Sequence, residues 1–573
     1  MRRNTFVLLA LACLFAVSTS RRAAAAEVPT VTIMQAGADE FQSDIEFLMK
    51  LAGIEGEQQW PVVEQILDVF LDGVDGERPM RIDLILGKKP DTRLSVPIAK
   101  GQQKAFQLNV GGFIGANARR MGGGLFLFRP KPPALEYYLR ELGNARNPDW
   151  GVIAEEKGNL PANFQVLAAI QPLINAGFDL AATVENSDDE ASVKDRRQVI
   201  LDLEKEVTAT LQPLDGETDN EFEMRKLGLG HQFRELERIY ADSQQLTLGW
   251  TTDQEKKEGR LDLELSALPE SDLAKSISEL AEKPSRFASI TKSEDSIFFG
   301  RVNHALDAMR QKHFTEMFEL MENDAKERLA DSDDYSDEQK AGITRAIEKG
   351  FEMLRAGTKM GVVDGFVDVN LTDGNKGVVG AIRVDDGAVA VDVLGGLKAA
   401  GWEVEIGEAD GETAVAYHKV TLPENFAPII TSLVGSSQFA VATRADAVCY
   451  AAGAGADERL KAVVDAAASE ENDGTFLEAW YRVGPILDVL RERRERREAD
   501  LDLSKLTPEE KSERKDRQEM RERAQKAFET GADTIHTKLQ RKEEKVVGQT
   551  ILATDILRFV GMEITNVAKT KLQ

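Results

Sequence analysis

The sequence predicts an α+β fold of two pseudo-repeated halves, each an antiparallel β-meander covered on one face by long helices. Two observations predict it. Pairs of long amphipathic helical stretches are each followed by short alternating runs that read as hairpins. The same order of elements then begins again about 280 to 290 residues further on, half of the 573-residue chain, as a tandem duplication would produce. The expected division is a signal peptide at 1–26, a first repeat at 27–290 and a second at 291–573. The second repeat includes a charged helical hairpin at 476–530.

The clearest unit lies between Ser336 and Ala400. Ser336 reads as an N-cap with Asp337 and Glu338 in the first turn. Ile343, Ile347, Phe351 and Leu354 then form one apolar stripe, and Gly357 is expected to end the helix. In the following strand Val363, Val367, Val369 and Leu371 face one way, with Asp364, Asp368 and Asn370 on the other. A turn at Asp373-Gly374-Asn375 leads to a return strand with Val378, Ile382 and Val384. A short helix after Asp385-Asp386-Gly387 is expected to bury Val389, Val393 and Leu397.

In the first half, Val31 to Met34 is a strand, and Asp44 to Leu51 and Pro61 to Leu71 are helices. Met80 to Leu86 and Arg93 to Ile98 form a strand pair around Gly87-Lys88-Lys89-Pro90-Asp91. A short helix near Gln102 to Leu108 precedes strands Phe113 to Ala118 and Leu125 to Phe128. Pro132-Pro133 is expected to open a helix from Ala134 to Leu142, since proline forfeits no needed donor there. Trp150 to Ala154 reads as a strand, Ala162 to Ile170 as a helix and Phe178 to Val184 as a strand. Helices from Val193 to Leu211 and on to about Tyr240 follow. A hairpin with arms Leu246 to Trp250 and Leu261 to Leu265 and a helix Leu273 to Leu280 end the half.

The second half starts with a strand at Ile297 to Phe299 and helices Ala305 to Leu329 and Asp337 to Leu354. The hairpin of Trp402 to Ile406 with Thr413 to Tyr417 matches the one ending at Phe128. Leu422-Pro423 is expected to open a helix to Leu433, as Pro132-Pro133 does earlier. Strands Phe439 to Ala442 and Val448 to Tyr450 and helix Asp457 to Ala467 come next. The remainder repeats the Val193 to Leu280 plan: helices Phe476 to Glu498 and Pro508 to Phe528, a strand Thr534 to Leu539 and a helix Ile551 to Val560. Arg491 to Glu498 alternates the two charges, and opposite charges three and four residues apart support a solvated helix by a few tenths of a kcal/mol each. Such a helical pair is expected to project into water or to dock a partner protein.

Composition restricts the function classes. Arg2 and Arg3, the apolar run Phe6 to Val17 and the alanines Ala23 to Ala26 have the form of an export signal cleaved after Ala26. Acylation at Cys13 would leave too short an apolar run before it. Removing Arg2, Arg3, Arg21 and Arg22 takes the net charge from −26 to −30. That surface disfavours nucleic-acid backbones and anionic membrane faces, and no later stretch is apolar enough to span a bilayer. Cys449 is then the sole thiol, so no internal disulfide is expected, and its apolar strand marks it as a core residue.

Chemical motifs are sparse. Histidines 231, 304, 313, 418 and 536 lack metal-ligand spacing, and His304 and His313 are expected on one helix, on opposite sides. Gly122-Gly123-Gly124 sits between two strands and reads as a hairpin tip, whereas a phosphate cradle opens into a helix. Asp364, Asp368, Asn370 and Asp373 miss the calcium-loop spacing. Asp331, Asp333, Asp334 and Asp337 could hold a divalent ion at an acidic loop, but a solvated loop capping the next helix accounts for them better. Gly-x-Ser-x-Gly is absent, while carboxylate pairs for glycoside hydrolysis remain open among 98 acids. No catalytic, cofactor-binding or metal-binding residue is assigned, and no cofactor is expected.

The segments Asp44-Ile45-Glu46-Phe47-Leu48-Met49-Lys50-Leu51-Ala52-Gly53 and Leu94-Ser95-Val96-Pro97-Ile98, within this long α+β body, resemble large exported bacterial proteins of unassigned function. That resemblance transfers no functional residue. The expectation is an exported, soluble, non-enzymatic binding or structural protein of the periplasm or exterior, with a protein or a small apolar ligand as partner. One alternative is a periplasmic carrier of a lipid-like ligand, with a tunnel lined by Phe126, Phe128, Leu246 and Leu248. The other is a hydrolase whose acids, histidines or serines converge in a cleft without a local motif.

Overall fold

A computed structural model describes residues 30–85, 91–144, 147–371, 375–410, 415–423, 431, 434–466, 472–499 and 507–571. The first half begins with β1 (Thr30–Gly37), α1 (Ala38–Leu51), α2 (Ile54–Leu71), β2 (Pro79–Ile85), β3 (Asp91–Pro97) and α3 (Gln103–Ile114). It continues with β4 (Ala118–Gly122), β5 (Leu125–Phe128), β6 (Tyr137–Asn144), β7 (Asn147–Ala154) and the short α4 (Gln171–Asn175). β8 (Leu180–Glu185), α5 (Glu190–Ala209), α6 (Asp219–Asp242), β9 (Ser243–Asp253), β10 (Glu258–Ala267) and α7 (Asp272–Glu279) complete it.

The second half runs β11 (Phe298–Ala305), α8 (Ala308–Asp331), α9 (Asp337–Lys359), β12 (Val362–Asn370), β13 (Gly377–Arg383) and α10 (Ala388–Ala399). Next are β14 (Glu403–Asp410), β15 (Val415–Thr421), β16 (Gln438–Arg444), β17 (Ala447–Gly453) and α11 (Ala456–Asp465). Last come β18 (Thr475–Arg482), α12 (Val483–Ala499), α13 (Pro508–Ala527), β19 (Thr534–Lys542), β20 (Lys545–Leu552) and α14 (Thr554–Lys571).

All these strands join one antiparallel sheet. From one edge inward the order is β4-β5-β6-β7-β3-β2-β1-β8-β9-β10. It continues through β20-β19-β18-β11-β12-β13-β17-β16-β15-β14 to the other edge. The seam is the β10–β20 pairing, from Gly259 opposite Leu552 to Ser266 opposite Lys545.

The sheet is covered on both faces, not one. Successive strand residues point to opposite sides. Val441 therefore packs with Leu394 and Leu397 of α10, while Ala440 and Ala442 pack with Leu460 and Val463 of α11 on the far side. In the first half Ile153 belongs with Phe106 of α3, and Val152 and Ala154 belong with Leu160 and Val166.

The buried face of β12 is the reverse of the expectation. Asp364, Phe366, Asp368 and Asn370 are buried, and Val363, Val367 and Val369 are only half-buried. The irregular segment that joins the halves explains this. Asp364 accepts hydrogen bonds from the Ser285 hydroxyl at 2.6 Å and the Arg286 backbone N–H at 2.7 Å. Asp368 accepts from the Ser293 N–H at 3.0 Å and from the Ser296 hydroxyl. Buried carboxylates are tolerable when donors satisfy them. On β13 the buried residues are likewise Val379 and Ala381, and on α10 they are Ala390 and Leu394, one position from those expected.

Several expected elements differ. Residues 134–142 are not a helix: Tyr137–Asn144 is a strand, because β5 and β7 flank it and each pairs with it. Phe113 ends α3 and does not start a strand, since Phe106, Val110, Phe113 and Ile114 share a helical face until Gly115 (φ 73°) caps it. Residues 162–170 form turns, whose Gln165 and Val166 carbonyls accept from Arg81. Phe476 and Trp480 lie on β18, inserted between β11 and β19, ahead of the charged helix. Helix α9 passes Gly357 and stops before Gly361, whose φ is +73°. Ile551 belongs to β20, α2 begins at Ile54, ahead of Pro61, and His304 is on β11, not on the helix carrying His313. The export segment, the turn 86–90, the turn residues 373–374 and most of the expected helix 423–433 lie outside the described residues.

The helix starts agree with the local signals. Ser336 and Thr507 each form a capping box with the residue three positions on, Gln339 and Glu510. No helix among the described residues is long and apolar enough to cross a membrane.

Candidate functional site: an apolar groove on the first half

A groove of about 800 Å³ opens between the sheet and two helices of the first half. Its floor is Leu94 and Val96 of β3 with Ile153 of β7, side by side because Leu94 pairs with Ile153. Helix α3 supplies one wall through Val110, Phe113 and Ile114, and the end of α2 supplies Phe70 and Leu71. The turn before β6 closes a third side with Pro130, Pro133 and Leu135.

The α3 sequence dictates this wall. Its apolar face is wider than the sheet can cover, so Phe106 is buried and Phe113, two turns on, is 76 % exposed. Phe113 meets Phe70, itself 50 % exposed, edge-to-face at 5.6 Å between ring centroids. Phe106 is wedged beneath, where a Cβ on Gly73 or Gly151 would collide with it. Asn109 fixes α3 to the end of α2 by donating to the carbonyls of Phe70 and Asp72 at 2.8 and 3.1 Å. The walls are thus tied together, and apolar side chains are left facing an open volume. In the second half Leu394 of α10 packs against Val404 and Val420.

The residues expected to line a tunnel do not come together. Phe126 and Phe128 are buried in the cluster with Phe106, while Leu246 packs with Leu265 and Phe476 in a separate cluster. With Phe113 expected to start a strand, the sequence does not reveal the groove; the helical spacing of Phe106, Val110, Phe113 and Ile114 is the signal for it.

A second polar cleft of about 620 Å³ lies beside Glu40, Thr252, Gln254 and Arg260. Glu40, Asp44 and Asp179 have carboxylate oxygens within 4.8 Å of one another, the one group among the described residues close enough to share a metal ion. Burial pushes the Asp44 carboxyl up to about 6, and burial also raises Asp179. Gln254 donates to Asp44 at 3.0 Å, and the Thr252 N–H donates to Asp179 at 2.5 Å. Of the three, only Glu40 lines the cleft; the bonds to Asp44 and Asp179 come from wall residues. The arrangement latches α1 onto the β9–β10 turn, while the acids that line the cleft itself are Glu40, Asp253, Glu255 and Glu258.

The other singled-out residues have structural partners. His231 of α6 stacks on His313 of α8 at 3.8 Å, with planes 4° apart. His418 contacts Thr443, and His536 contacts Glu478 at 3.0 Å. Gly122, Gly123 and Gly124 all have positive φ at the β4–β5 tip. Asp333 and Asp334 are exposed in the loop before the Ser336 cap. Burial raises the Cys449 thiol to about 11, so it is a core group and a poor nucleophile.

No family model matches the chain, and no curated protein or solved structure matches it.

Proposed function

We propose that this is a binding protein for an apolar ligand, held in the groove between β3, β7 and the helices α2 and α3. The observation that carries the reading is the groove itself. A volume of about 800 Å³ walled chiefly by apolar and aromatic side chains has the size and chemistry of a small-molecule site. Open apolar surface on that scale is unfavourable in water unless something covers it. The test is binding of the neutral dye 1-N-phenylnaphthylamine, whose fluorescence rises in apolar surroundings, with mass spectrometry of co-purified lipid. Val110→Trp, which fills the groove from a half-buried helix position, is expected to abolish dye binding while leaving the far-UV spectrum unchanged. Dye binding that survives this substitution would place the ligand elsewhere and defeat the reading.

We further propose that the chain is exported and internally duplicated. The duplication rests on strand order: β4-β5-β6-β7-β3-β2-β1-β8-β9-β10 has the same sequence of connections as β14-β15-β16-β17-β13-β12-β11-β18-β19-β20. Helix positions follow suit, with a pair after β1, β8, β11 and β18 alike. Export rests on the residues before β1, and the intact mass of the protein recovered from its native cell tests cleavage after Ala26.

A further inference from the structure

We infer that the ligand is a single-chain amphiphile with a cationic head, a protonated amine or a quaternary ammonium, seated at the Glu155 end of the groove. This rests on the groove being the binding site. Strand register gives the groove a direction. Leu94 pairs with Ile153 and Tyr138 with Ala154, so continuing both ladders places Thr92, Glu155 and Tyr137 in one row across β3, β7 and β6. All three line the groove. The opposite end is closed by Val74 and by buried Phe106. An elongated ligand therefore has a place for an alkyl tail among Leu94, Val96, Ile153 and Val110, and a polar place for its head.

The polar end carries a carboxylate. Glu155 is the only charged side chain among the described residues that line the groove. Its backbone is pinned: Asp91 accepts from the N–H groups of Glu155 and Glu156 at 3.2 and 3.1 Å. Asp91 is buried on the opposite face of β3, where Asn159 Nδ2 and the Thr92 N–H also donate to it. A carboxylate or phosphate head would be driven against Glu155 in surroundings drier than bulk water, where such repulsion is least screened. A cation is attracted to Glu155, and the Tyr137 ring beside it offers a π face of the kind that binds ammonium groups. The whole chain, at −26, biases approach in the same direction.

The experiment is displacement of 1-N-phenylnaphthylamine from the full chain by three C12 compounds, dodecyltrimethylammonium, dodecanol and dodecanoate. Each is kept below its micelle concentration or solubility limit, in about 0.15 M salt to suppress long-range charge effects. The expected order is cation, alcohol, anion, with the cation about tenfold tighter than the alcohol. Glu155→Gln is expected to erase the gap between cation and alcohol and leave the alcohol unchanged. Equal binding of all three heads overturns the inference while the groove stands. So does a cation preference that survives Glu155→Gln, because it then belongs to the general surface charge. If the dye does not bind the unmodified chain, the groove reading fails and this inference falls with it.

Discussion

Asp83 on β2 shows how single buried charges hold irregular chain against this sheet. It is fully buried and accepts from the Thr32 hydroxyl at 2.9 Å, Arg81 Nε at 2.8 Å and Arg93 Nε at 2.9 Å. Those arginines donate onward to the carbonyls of Val166 and Asn159, and both guanidinium groups lie over the Phe164 ring. Asp83→Ala would leave two cations facing a dry pocket, so a loss of about 3–5 kcal/mol in urea unfolding is expected; a loss below about 1 kcal/mol would show that water relieves them. Asp44 has the opposite consequence. Its carboxyl sits near 6 in the folded chain against an ordinary 3.8, chiefly through burial, so between those values the folded state holds the proton more tightly. Stability from this group is full below pH 3.8 and is lost as pH rises through 6. Asp44→Asn keeps an acceptor for Gln254 and removes the charge. The variant should match the parent at pH 4 and exceed it at pH 8 by about 1–2 kcal/mol after allowance for solvent screening. An equal offset at both values would show that Asp44 does not titrate there.

At the scale of elements, the contact of α6 with α8 joins the halves through the His231–His313 stack. The groups facing the rings are mixed in sign. Glu235 lies 3.7 Å from His231 and is held by Arg310 of α8, Arg238 pairs with Asp307, and Glu316 is on the His313 helix. Burial is the first cause of a lowered pKa at both histidines, and the His231 charge lowers His313 further. Both rings are therefore neutral in the fold at pH values where the unfolded chain already binds protons. Stability is full above about pH 6.5 and declines as pH falls below it. The double variant His231→Phe/His313→Phe keeps the stacked shape without the charge, so the parent should lose more stability than the variant between pH 7.5 and 5. Parallel losses would assign the acid sensitivity to other groups. This contact is illegible in the sequence, because 82 residues and three strands separate the rings. Local features were legible: the caps at Ser336 and Thr507 and the β9–β10 hairpin depend on residues within a few positions of one another. Strands β6 and β18 look helical in sequence because their identity is decided by distant neighbours on both sides. The alternation on β12 was legible but its sense was not, since the cover for that face comes from residues 285–296.

Across the whole molecule, the first and last elements of the chain close the seam between the halves. Strand β20 pairs with β10, and Lys545 reaches Glu264 at 2.5 Å across it. Helix α14 then lies on α1 and α2, with Ala568 and Ile564 against Met49, Val63 and Trp60. The approach is close enough to exclude a side chain: a Cβ on Gly561 would fall 1.8 Å from the Leu48 carbonyl oxygen. Backbone supplies that contact, so no rotamer change relieves it, and Gly561→Ala must move one helix or the other. The expected loss is about 3 kcal/mol, the upper part of the range for overpacking. Its location matters more than its size. Because α1 and α14 are held by the same crossing, hydrogen exchange should quicken together in 38–51 and 554–571, while 219–242 and 308–331, at the separate contact of α6 with α8, stay protected. Faster exchange in 554–571 alone would mean that the C-terminal helix merely rests on the fold. Joint loosening would show that two segments more than 500 residues apart act as one clasp, with the shared sheet between the halves resting on it.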